Sequence, residues 1–273
     1  MGLPLAEHLV ERQFSVKGST TTPQKIDILR HEQIEPFFLE SQPDSLKGEK
    51  IPLFFNSDIL FLNIPFKRNL SNPIIYQQQI EAVVKHVESS TIKFLIFAST
   101  TAVYPDSLIE AREDSIFESE TERSRVLYAI EQSLLKNNYF DTTVIRFGGL
   151  CGGERRIGKF LAGQKNLMHP PSFVAKTGRG AGGDWPVNLI HLDDCVAIVT
   201  QIIENNIRHE IFNACCDDHP TRRELYTQAA LKMGQKPPEF DNKDKSQGKI
   251  VSNKKLKKQL GYTFKYSSPF QFL

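Results

Sequence analysis

The chain has 273 residues, 40% of them hydrophobic, which is enough to bury a sizeable core in one large lobe or two unequal lobes. Its 34 basic and 32 acidic side chains are interspersed and leave a formal net charge of +2, so nothing in the charge pattern points to nucleic acid or an anionic membrane as a partner. The longest apolar stretches, near 58–66 and 94–98, are far shorter than the roughly 20 residues that span a bilayer. Four cysteines in a chain of this length do not make a disulfide framework, so we expect a cytoplasmic protein with a small-molecule ligand.

Short apolar strands alternate with helices along the first half of the chain. At the amino end, Leu5, Leu9 and Val10 share one face at helical spacing, which predicts a helix. The elements predicted after it are a strand at 14–19, a strand at 58–65, a helix at 74–89, a strand at 93–100, a helix at 122–136 and a strand at 142–150. Strands that are apolar on both faces and separated by helices are typical of a parallel sheet covered on both sides. We therefore predict an α/β fold with a doubly wound parallel sheet.

A ligand is expected where the strands end, because open parallel sheets bind ligands beyond the carboxyl ends of their strands. In a dinucleotide-binding unit the first strand ends in a G-x-G-x-x-G turn, whose glycines bring the backbone close to the pyrophosphate and the helix close to the sheet. Gly2 stands at the third glycine position of this pattern, whereas the strand and the first two glycines are not in the given sequence. The alternative is that the first residues are simply the start of a helix.

Five segments, taken in order, resemble the motifs of one known family. They are FASTTAVYPD (97–106), VIRFGGLCGGERRIGKF (144–160), VNLIHLDDCVAIV (187–199), IFNACCDDHPTRRELY (211–226) and GKIVSNKKLKKQLGY (248–262). On these motifs the chain resembles, nearly end to end, the extended short-chain dehydrogenase/reductases, in particular atypical members of the NAD-dependent epimerase/dehydratase group. The resemblance implies a Rossmann-type core over residues 1–150 and 186–214, and a smaller C-terminal substrate-side lobe over 151–185 and 215–273.

The catalytic pattern of that family is altered in this sequence. Family enzymes use a Ser or Thr after the fourth strand and a Tyr and a Lys spaced Y-x-x-x-K, with the tyrosine moving a proton and the lysine lowering its pKa. By resemblance Thr100 takes the hydroxyl position, whereas Arg123 and Leu127 stand at the tyrosine and lysine positions. Tyr104 could supply the missing phenol, or it could be a packing residue whose hydroxyl is bonded locally. Arg125 could orient an anionic substrate, or it could lie on a solvated helix surface.

The strand ends also suggest contacts to a cofactor. Proteins that select NAD usually have an Asp or Glu at the end of this strand, which binds the ribose hydroxyls. Here the strand at 14–19 is followed by hydroxyl side chains and a lysine, which would admit the extra phosphate of NADP and so favour NADP over NAD. These residues are Ser19, Thr20, Thr21 and Lys25. The alternative is that this Ser/Thr run is merely a turn. The resemblance further assigns to the cofactor a set of residues that could equally be part of the sheet packing: Ile64, Pro65, Ala98, Ser99, Phe147 and Gly148.

A cation-rich loop and a cysteine pair complete the candidate sites. Arg155, Arg156 and Lys159 could bind a phosphate or carboxylate of the substrate, or they could form a solvated loop. The CCDDH run at 215–219 lacks the second ligand pair of a structural zinc site, so we expect no metal there. Its two cysteines are expected to end a buried strand as small hydrophobic residues.

Together these observations predict an NAD(P)-dependent oxidoreductase, or an epimerase/dehydratase-like protein, that acts on a small polar substrate of a sugar-like or carbonyl kind. Because the tyrosine and lysine are replaced, two alternatives stay open. One is a non-catalytic NAD(P)-binding protein with a regulatory or scaffolding role, and the other is a truncated, inactive family member. The resemblance also implies a possible homodimer.

Overall fold

The computed structural model describes residues 1–67, 70, 72–153, 155, 157, 182–240 and 248–273. The chain folds into two compact units. Unit 1 consists of Met1–Ser99, Arg125–Ile145 and Val196–Ile211, and unit 2 consists of Thr100–Ser124, Arg146–Cys195 and Phe212–Leu273. The core and lobe boundaries inferred from the sequence stay a prediction.

Strands and helices alternate along the chain as the sequence predicts. The first elements are α1 (Gly2–Glu11), β1 (Lys17–Thr20), α2 (Lys25–His31), β2 (Glu35–Ser41), β3 (Leu46–Gly48), α3 (Ile51–Phe54), β4 (Ile59–Leu62), α4 (Ile74–Glu88) and β5 (Phe94–Thr100). They are followed by β6 (Glu110–Ala111), α5 (Glu122–Leu135), β7 (Asp141–Phe147), β8 (Gly149–Cys151), β9 (Leu189–His191), α6 (Leu192–Glu204), β10 (Ile211–Ala214), α7 (Arg222–Lys232), β11 (Ile250–Val251) and α8 (Lys254–Leu260). The sequence-based prediction did not include α2, β2, β3 or α3.

The main strands lie in two separate sheets. One sheet has the order β1-β2-β3 and the other has the order β10-β7-β5-β4. Strand β1 runs parallel to β2, and β4 runs parallel to β5, whereas β3 is antiparallel to β2. The predicted α/β class with parallel strands is therefore confirmed. The parallel strands do not form one continuous sheet, however, because no strand among the described residues joins β1 to β4.

Strand β5 is the most deeply buried part of unit 1. Its residues Phe94, Leu95, Ile96 and Phe97 are all 0% exposed. Helix α4 buries Ile80, Val83 and Val87, which the helical repeat places on one face. Each such side chain contributes about 1.5–3 kcal/mol when removed from water.

Among the described residues, no helix combines the length and the apolar character needed to cross a membrane.

The carboxyl-terminal segment of the chain holds unit 2 together. Asp194, near the start of α6, is fully buried and accepts a hydrogen bond from the Tyr262 hydroxyl at 2.7 Å. The same carboxylate accepts the backbone N–H groups of Lys265 at 2.8 Å and Tyr266 at 3.2 Å. A buried carboxylate with three donors is well satisfied, so this contact fixes the segment after α8 onto α6. The last residues, including Phe272, then pack on the core of the unit.

Candidate nucleotide and substrate site residues

Gly2, the first residue of α1, lies beside the carboxyl end of β4. A Cβ atom built on Gly2 would stand 4.0 Å from Asn63 Nδ2, and apart from its own helix it would meet no other described atom within that distance. A side chain at this position would therefore enter open space rather than the packed sheet. Such an open position leaves room for a ligand near the start of α1. The close helix–sheet packing that the third glycine of the pattern allows is not seen at Gly2, because its one neighbour among the described residues outside its own helix is Asn63.

The segment after β4 is held in place by an aromatic pair. The Tyr76 hydroxyl donates a hydrogen bond to the Ile64 carbonyl oxygen at 3.0 Å. The Phe66 ring stacks on the Tyr76 ring with centroids 4.2 Å apart. Ile64 is half-buried and Pro65 is exposed. These two predicted contacts thus belong to a fixed apolar edge in unit 1.

The end of β1 divides the predicted cofactor residues into two kinds. The Thr20 hydroxyl accepts the backbone N–H of Thr22 at 3.1 Å, so it is used within the turn before α2. Ser19, Thr21 and Lys25 have exposed side chains. The hydroxyl of Thr20 is therefore used in a turn, which is the alternative that the sequence analysis left open for this Ser/Thr run. The exposed side chains of Ser19, Thr21 and Lys25 are accessible to a ligand.

The end of β5 in unit 1 carries a buried serine–carboxylate contact. The Ser99 hydroxyl donates a hydrogen bond to Glu131 Oε1 at 2.5 Å, and Glu131 is 0% exposed on α5. A hydroxyl bonded to a buried carboxylate is among the stronger neutral–charged hydrogen bonds. Ser99 therefore directs its hydroxyl to α5, while its neighbour Ala98 is half-buried.

Tyr104 is buried in unit 2, and both hydrogen-bonding directions of its hydroxyl are used. It accepts from Arg146 Nη1 at 2.6 Å and donates to Asn213 Oδ1 at 2.9 Å. Burial raises the pKa of Tyr104 to about 12, although the Arg146 charge opposes this shift. The phenol is thus neutral at neutral pH. Thr100 lies just before it in the chain, and its hydroxyl accepts the Ala102 N–H at 3.3 Å.

Three residues around Tyr104 were not identified from the sequence. Arg146 is 1% exposed, and its guanidinium lies 4.8 Å from the centroid of the Tyr104 ring. The backbone N–H of Asn213 donates to Glu113 Oε1 at 2.8 Å, and burial raises the pKa of Glu113. The signal that could have found Arg146 is a charged residue inside the apolar strand TTVIRF. Asn213 and Glu113 gave no comparable signal.

The residues at the family's tyrosine and lysine positions take different environments. Leu127 is 2% exposed and forms part of the core of unit 1. Arg123 is half-buried in unit 2, and Arg125 is exposed. A buried leucine carries no charge that could lower the pKa of a phenol. At the two positions that the resemblance assigns, the chain therefore carries neither a tyrosine nor a lysine.

The predicted residues after β7 are mostly explained by packing. Phe147 is buried, and Gly148 donates its N–H to the Ala214 carbonyl at 2.8 Å. A Cβ atom on Gly148 would come within 2.7 Å of the Asn188 carbonyl oxygen, so only glycine fits. Arg155 is exposed. Its two predicted companions in the loop lie outside the described residues: Arg156 and Lys159.

The paired cysteines behave as buried hydrophobic residues. Cys215 Sγ lies 3.1 Å from the Val251 carbonyl oxygen, and Cys216 Sγ lies 2.9 Å from that of Leu189. Burial raises the pKa of both thiols. In the part of the chain that the structure describes, no three His, Cys, Asp or Glu side chains are grouped as metal ligands.

Comparison with known proteins identifies the fold of this chain. No family model matches the chain. It is 28% identical over 271 residues to Protein YeeZ of Escherichia coli, covering 98% of this chain and 94% of YeeZ. Among solved structures, UDP-N-acetylglucosamine 4-epimerase from Bacillus cereus matches with a TM-score of 0.75 and 13% identity, covering 99% of this chain and 89% of that one. A short-chain dehydrogenase/reductase superfamily protein from Agrobacterium tumefaciens with bound NAD matches with a TM-score of 0.71 and 13% identity, covering 100% and 91%. This chain therefore has the Rossmann-type fold of the short-chain dehydrogenase/reductase and epimerase/dehydratase proteins, as its motifs predict.

Proposed function

We propose that this protein binds NAD(P) in unit 1, at the carboxyl ends of β1 and β4, and acts on a small polar substrate of a sugar-like or carbonyl kind. The observation that carries the proposal is the open position in front of Gly2, beside Asn63 at the end of β4. Parallel α/β sheets bind nucleotides at this edge. The Agrobacterium tumefaciens protein of this fold was solved with bound NAD, which supports NAD(P) as the ligand.

The residues at this edge fit the parts of a dinucleotide. Ile64 and Pro65 offer an apolar surface for an adenine ring, while Ser19, Thr21 and Lys25 offer hydroxyls and a cation for a ribose phosphate. An extra phosphate would find Lys25 as a positive partner, and none of these three side chains is acidic, which favours NADP over NAD. When bound, the nicotinamide would supply or accept a hydride.

Substrate chemistry in this proposal depends on Thr100. Its hydroxyl would hold the substrate oxygen, the role that the family pattern gives to this position. Tyr104 would act on the fold instead, because its neutral phenol is already bonded to Arg146 and Asn213. The Thr100 hydroxyl would donate a hydrogen bond, and the proton for the substrate oxygen would come from water.

A second candidate is a non-catalytic NAD(P)-binding protein with a regulatory or scaffolding role. The specific observation that favours it is Leu127, which fills the core where the family pattern has its lysine. Turnover separates the two candidates. Oxidation of NADPH is measured with a panel of carbonyl and sugar-derived substrates, using Thr100→Ala and the hydroxyl-retaining Thr100→Ser. Turnover that Thr100→Ala abolishes and Thr100→Ser preserves supports the enzyme, whereas binding without turnover supports the binder.

Nucleotide binding itself is tested at Gly2. We expect NADPH to bind more tightly than NADH in a fluorescence titration. Gly2→Asp should weaken NADPH binding about tenfold or more, because a carboxylate repels the pyrophosphate. The same carboxylate should leave stability unchanged or raise it by about 0.3–1 kcal/mol, since it lies at a helix N-terminus. Gly2→Asn is the neutral control of equal size. If neither nucleotide binds, or if Gly2→Asp binds as well as Gly2→Asn, the proposed site is wrong.

A further inference from the structure

Residues 265–273 form a strap over part of the apolar core of unit 2. Three apolar side chains of the strap pack on a cluster of buried side chains: Phe270, Phe272 and Leu273. The cluster beneath them includes Leu225 and the thiols of Cys151 and Cys216. With the strap in place, Cys151 is 1% exposed and Cys216 is 0% exposed. The strap therefore separates these two thiols from water.

His191, at the end of β9, lies in contact with the strap. The centroid of its ring is 4.0 Å from that of Tyr266 and 5.4 Å from that of Phe272. At the Nε2 corner of the ring, a Cβ atom built on Gly152 would come within 2.5 Å, so the backbone there leaves no space. The His191 side chain is 12% exposed. Two aromatic rings of the strap and one backbone segment thus enclose the imidazole.

A hydrogen bond of the His191 ring requires the neutral imidazole. Nδ1 accepts the backbone N–H of Asp193 at 3.2 Å, which is one of the first N–H groups of α6. Nδ1 can accept this bond only while it carries no proton. Protonation would turn the acceptor into a second donor and place a cation at the positive end of the helix. The closed strap is therefore matched to the neutral ring.

Charged and titratable groups face the His191 ring from three elements packed against it. On α6, Asp193 Oδ1 lies 3.5 Å from Nδ1 and favours the protonated ring together with Asp194. On the strap, the Lys265 ammonium opposes protonation, and it is already paired with Asp193 Oδ2 at 2.5 Å. On β8, Cys151 is the register partner of His191, and its thiol is neutral because burial raises its pKa to about 12. Burial has the largest effect on the imidazole, and it lowers the pKa of His191.

We propose that the strap is an acid-released cover, in which protonation of His191 frees residues 265–273 from unit 2 and uncovers the apolar groove that Phe270 and Phe272 fill. An imidazolium regains water only when the rings of Tyr266 and Phe272 move away from it, so the open strap binds the proton more tightly than the closed strap. A solvated imidazole has a pKa of about 6.5. Closure is therefore at full strength above about pH 6.5 and weakens as the pH falls below that value.

Opening of the strap is measured by the accessibility of Cys216. The internal control is Cys215, whose thiol lies against the Val251 carbonyl oxygen of β11. A pyridyl disulfide reagent is applied to the native protein between about pH 7.5 and 5.5, and each labelling rate is divided by the rate in the urea-unfolded chain at the same pH. This ratio should rise about threefold or more for Cys216 as the pH falls, and it should stay constant for Cys215. A constant ratio for Cys216, or an equal rise for both thiols, would overturn the proposal.

Two variants identify the group that titrates. His191→Gln keeps an oxygen that can accept the Asp193 N–H but cannot take up the proton, so labelling of Cys216 should no longer depend on pH. His219→Gln is the matched control, because His219 is a second partly buried histidine of unit 2, with Nδ1 3.4 Å from the Val187 carbonyl oxygen. The pH dependence should remain in this control. If His219→Gln removes it and His191→Gln does not, the proposal is wrong.

Hydrogen exchange tests the strap in the unchanged chain, without any variant. The backbone amides of Lys265 and Tyr266 donate to Asp194, and the amide of Val251 donates to Asn188 Oδ1. After correction for the intrinsic exchange rate, protection of the two strap amides should fall about threefold or more over the same pH range, while that of Val251 should not change. Strap amides that keep their protection would contradict the proposal. None of these measurements involves a nucleotide, so their failure leaves the proposed function untouched.

Discussion

Replacing Tyr104 with phenylalanine removes a single oxygen atom from the interior of unit 2 and tests what this tyrosine does. The oxygen accepts a hydrogen bond from the charged Arg146 guanidinium and donates one to Asn213. A hydrogen bond involving a charged group contributes about 1.5–3 kcal/mol and a neutral one about 0.5–1.5 kcal/mol. Because the site is buried, water cannot replace the lost oxygen. We expect Tyr104→Phe to lower the free energy of unfolding by about 2–4 kcal/mol.

The assay is urea unfolding followed by fluorescence and circular dichroism, with NADPH titration on the same samples. Tyr139→Phe is the matched control, because Tyr139 is 62% exposed and should change stability by less than about 0.5 kcal/mol. If Tyr104 acts only in packing, Tyr104→Phe should lower the free energy of unfolding and leave the affinity for NADPH unchanged. If Tyr104→Phe were as stable as the control and had lost substrate turnover, the hydroxyl would be a proton donor and our reasoning would be refuted.

Three further predictions concern packing, thiol reactivity and pH. Gly148→Ala should lower stability by about 1–3 kcal/mol in urea unfolding, because its Cβ would come within 2.7 Å of the Asn188 carbonyl oxygen, whereas Gly2→Ala should not. The four cysteines are buried and burial raises the pKa of every thiol, so a thiol reagent at neutral pH should label none in the native protein and all four after unfolding. Burial lowers the pKa of His191 and His219, so the unfolded chain takes up protons first and the free energy of unfolding should fall as the pH drops below about 6.5. His219→Gln should reduce that slope in urea titrations at several pH values, and an unchanged slope would contradict the assignment.

Much of the fold could be predicted because its strands and helices differ strongly in pattern. The continuous apolar run at 93–100 can only be covered on both faces, and it is the fully buried β5. The spacing of Ile80, Val83 and Val87 likewise predicts α4. Strand β2, with the sequence EPFFLES, was missed because it alternates weakly and begins next to a proline. The division into two sheets depends on which strands become neighbours, and that is a property of the tertiary structure.

The candidate site was predictable only where a local motif fixes a residue's position. Gly2 and Thr100 were assigned through such motifs; the structure has Thr100 at the end of β5 and Gly2 in the first turn of α1, beside Asn63. The partners of Tyr104 could not be found in this way, because Arg146 is 42 residues away and Asn213 is 109 residues away. The free-energy cost of burying the Arg146 guanidinium in β7 is offset by its contacts with residues such as Tyr104, which are far away in the sequence. The sequence shows that Arg146 is a charged residue within an apolar strand, but it does not show which groups contact Arg146 in the folded protein.

Helix α5 bears most directly on the chemistry. Leu127 and Glu131 are four residues apart, so they lie on the same face of the helix, and both are buried in unit 1. Glu131 accepts a hydrogen bond from Ser99, whereas Leu127 contributes an apolar side chain to the core. The lysine position is therefore not a vacant catalytic place but part of the hydrophobic packing. In the proposed function, the proton for the substrate oxygen would therefore not come from a phenol activated by a lysine of α5.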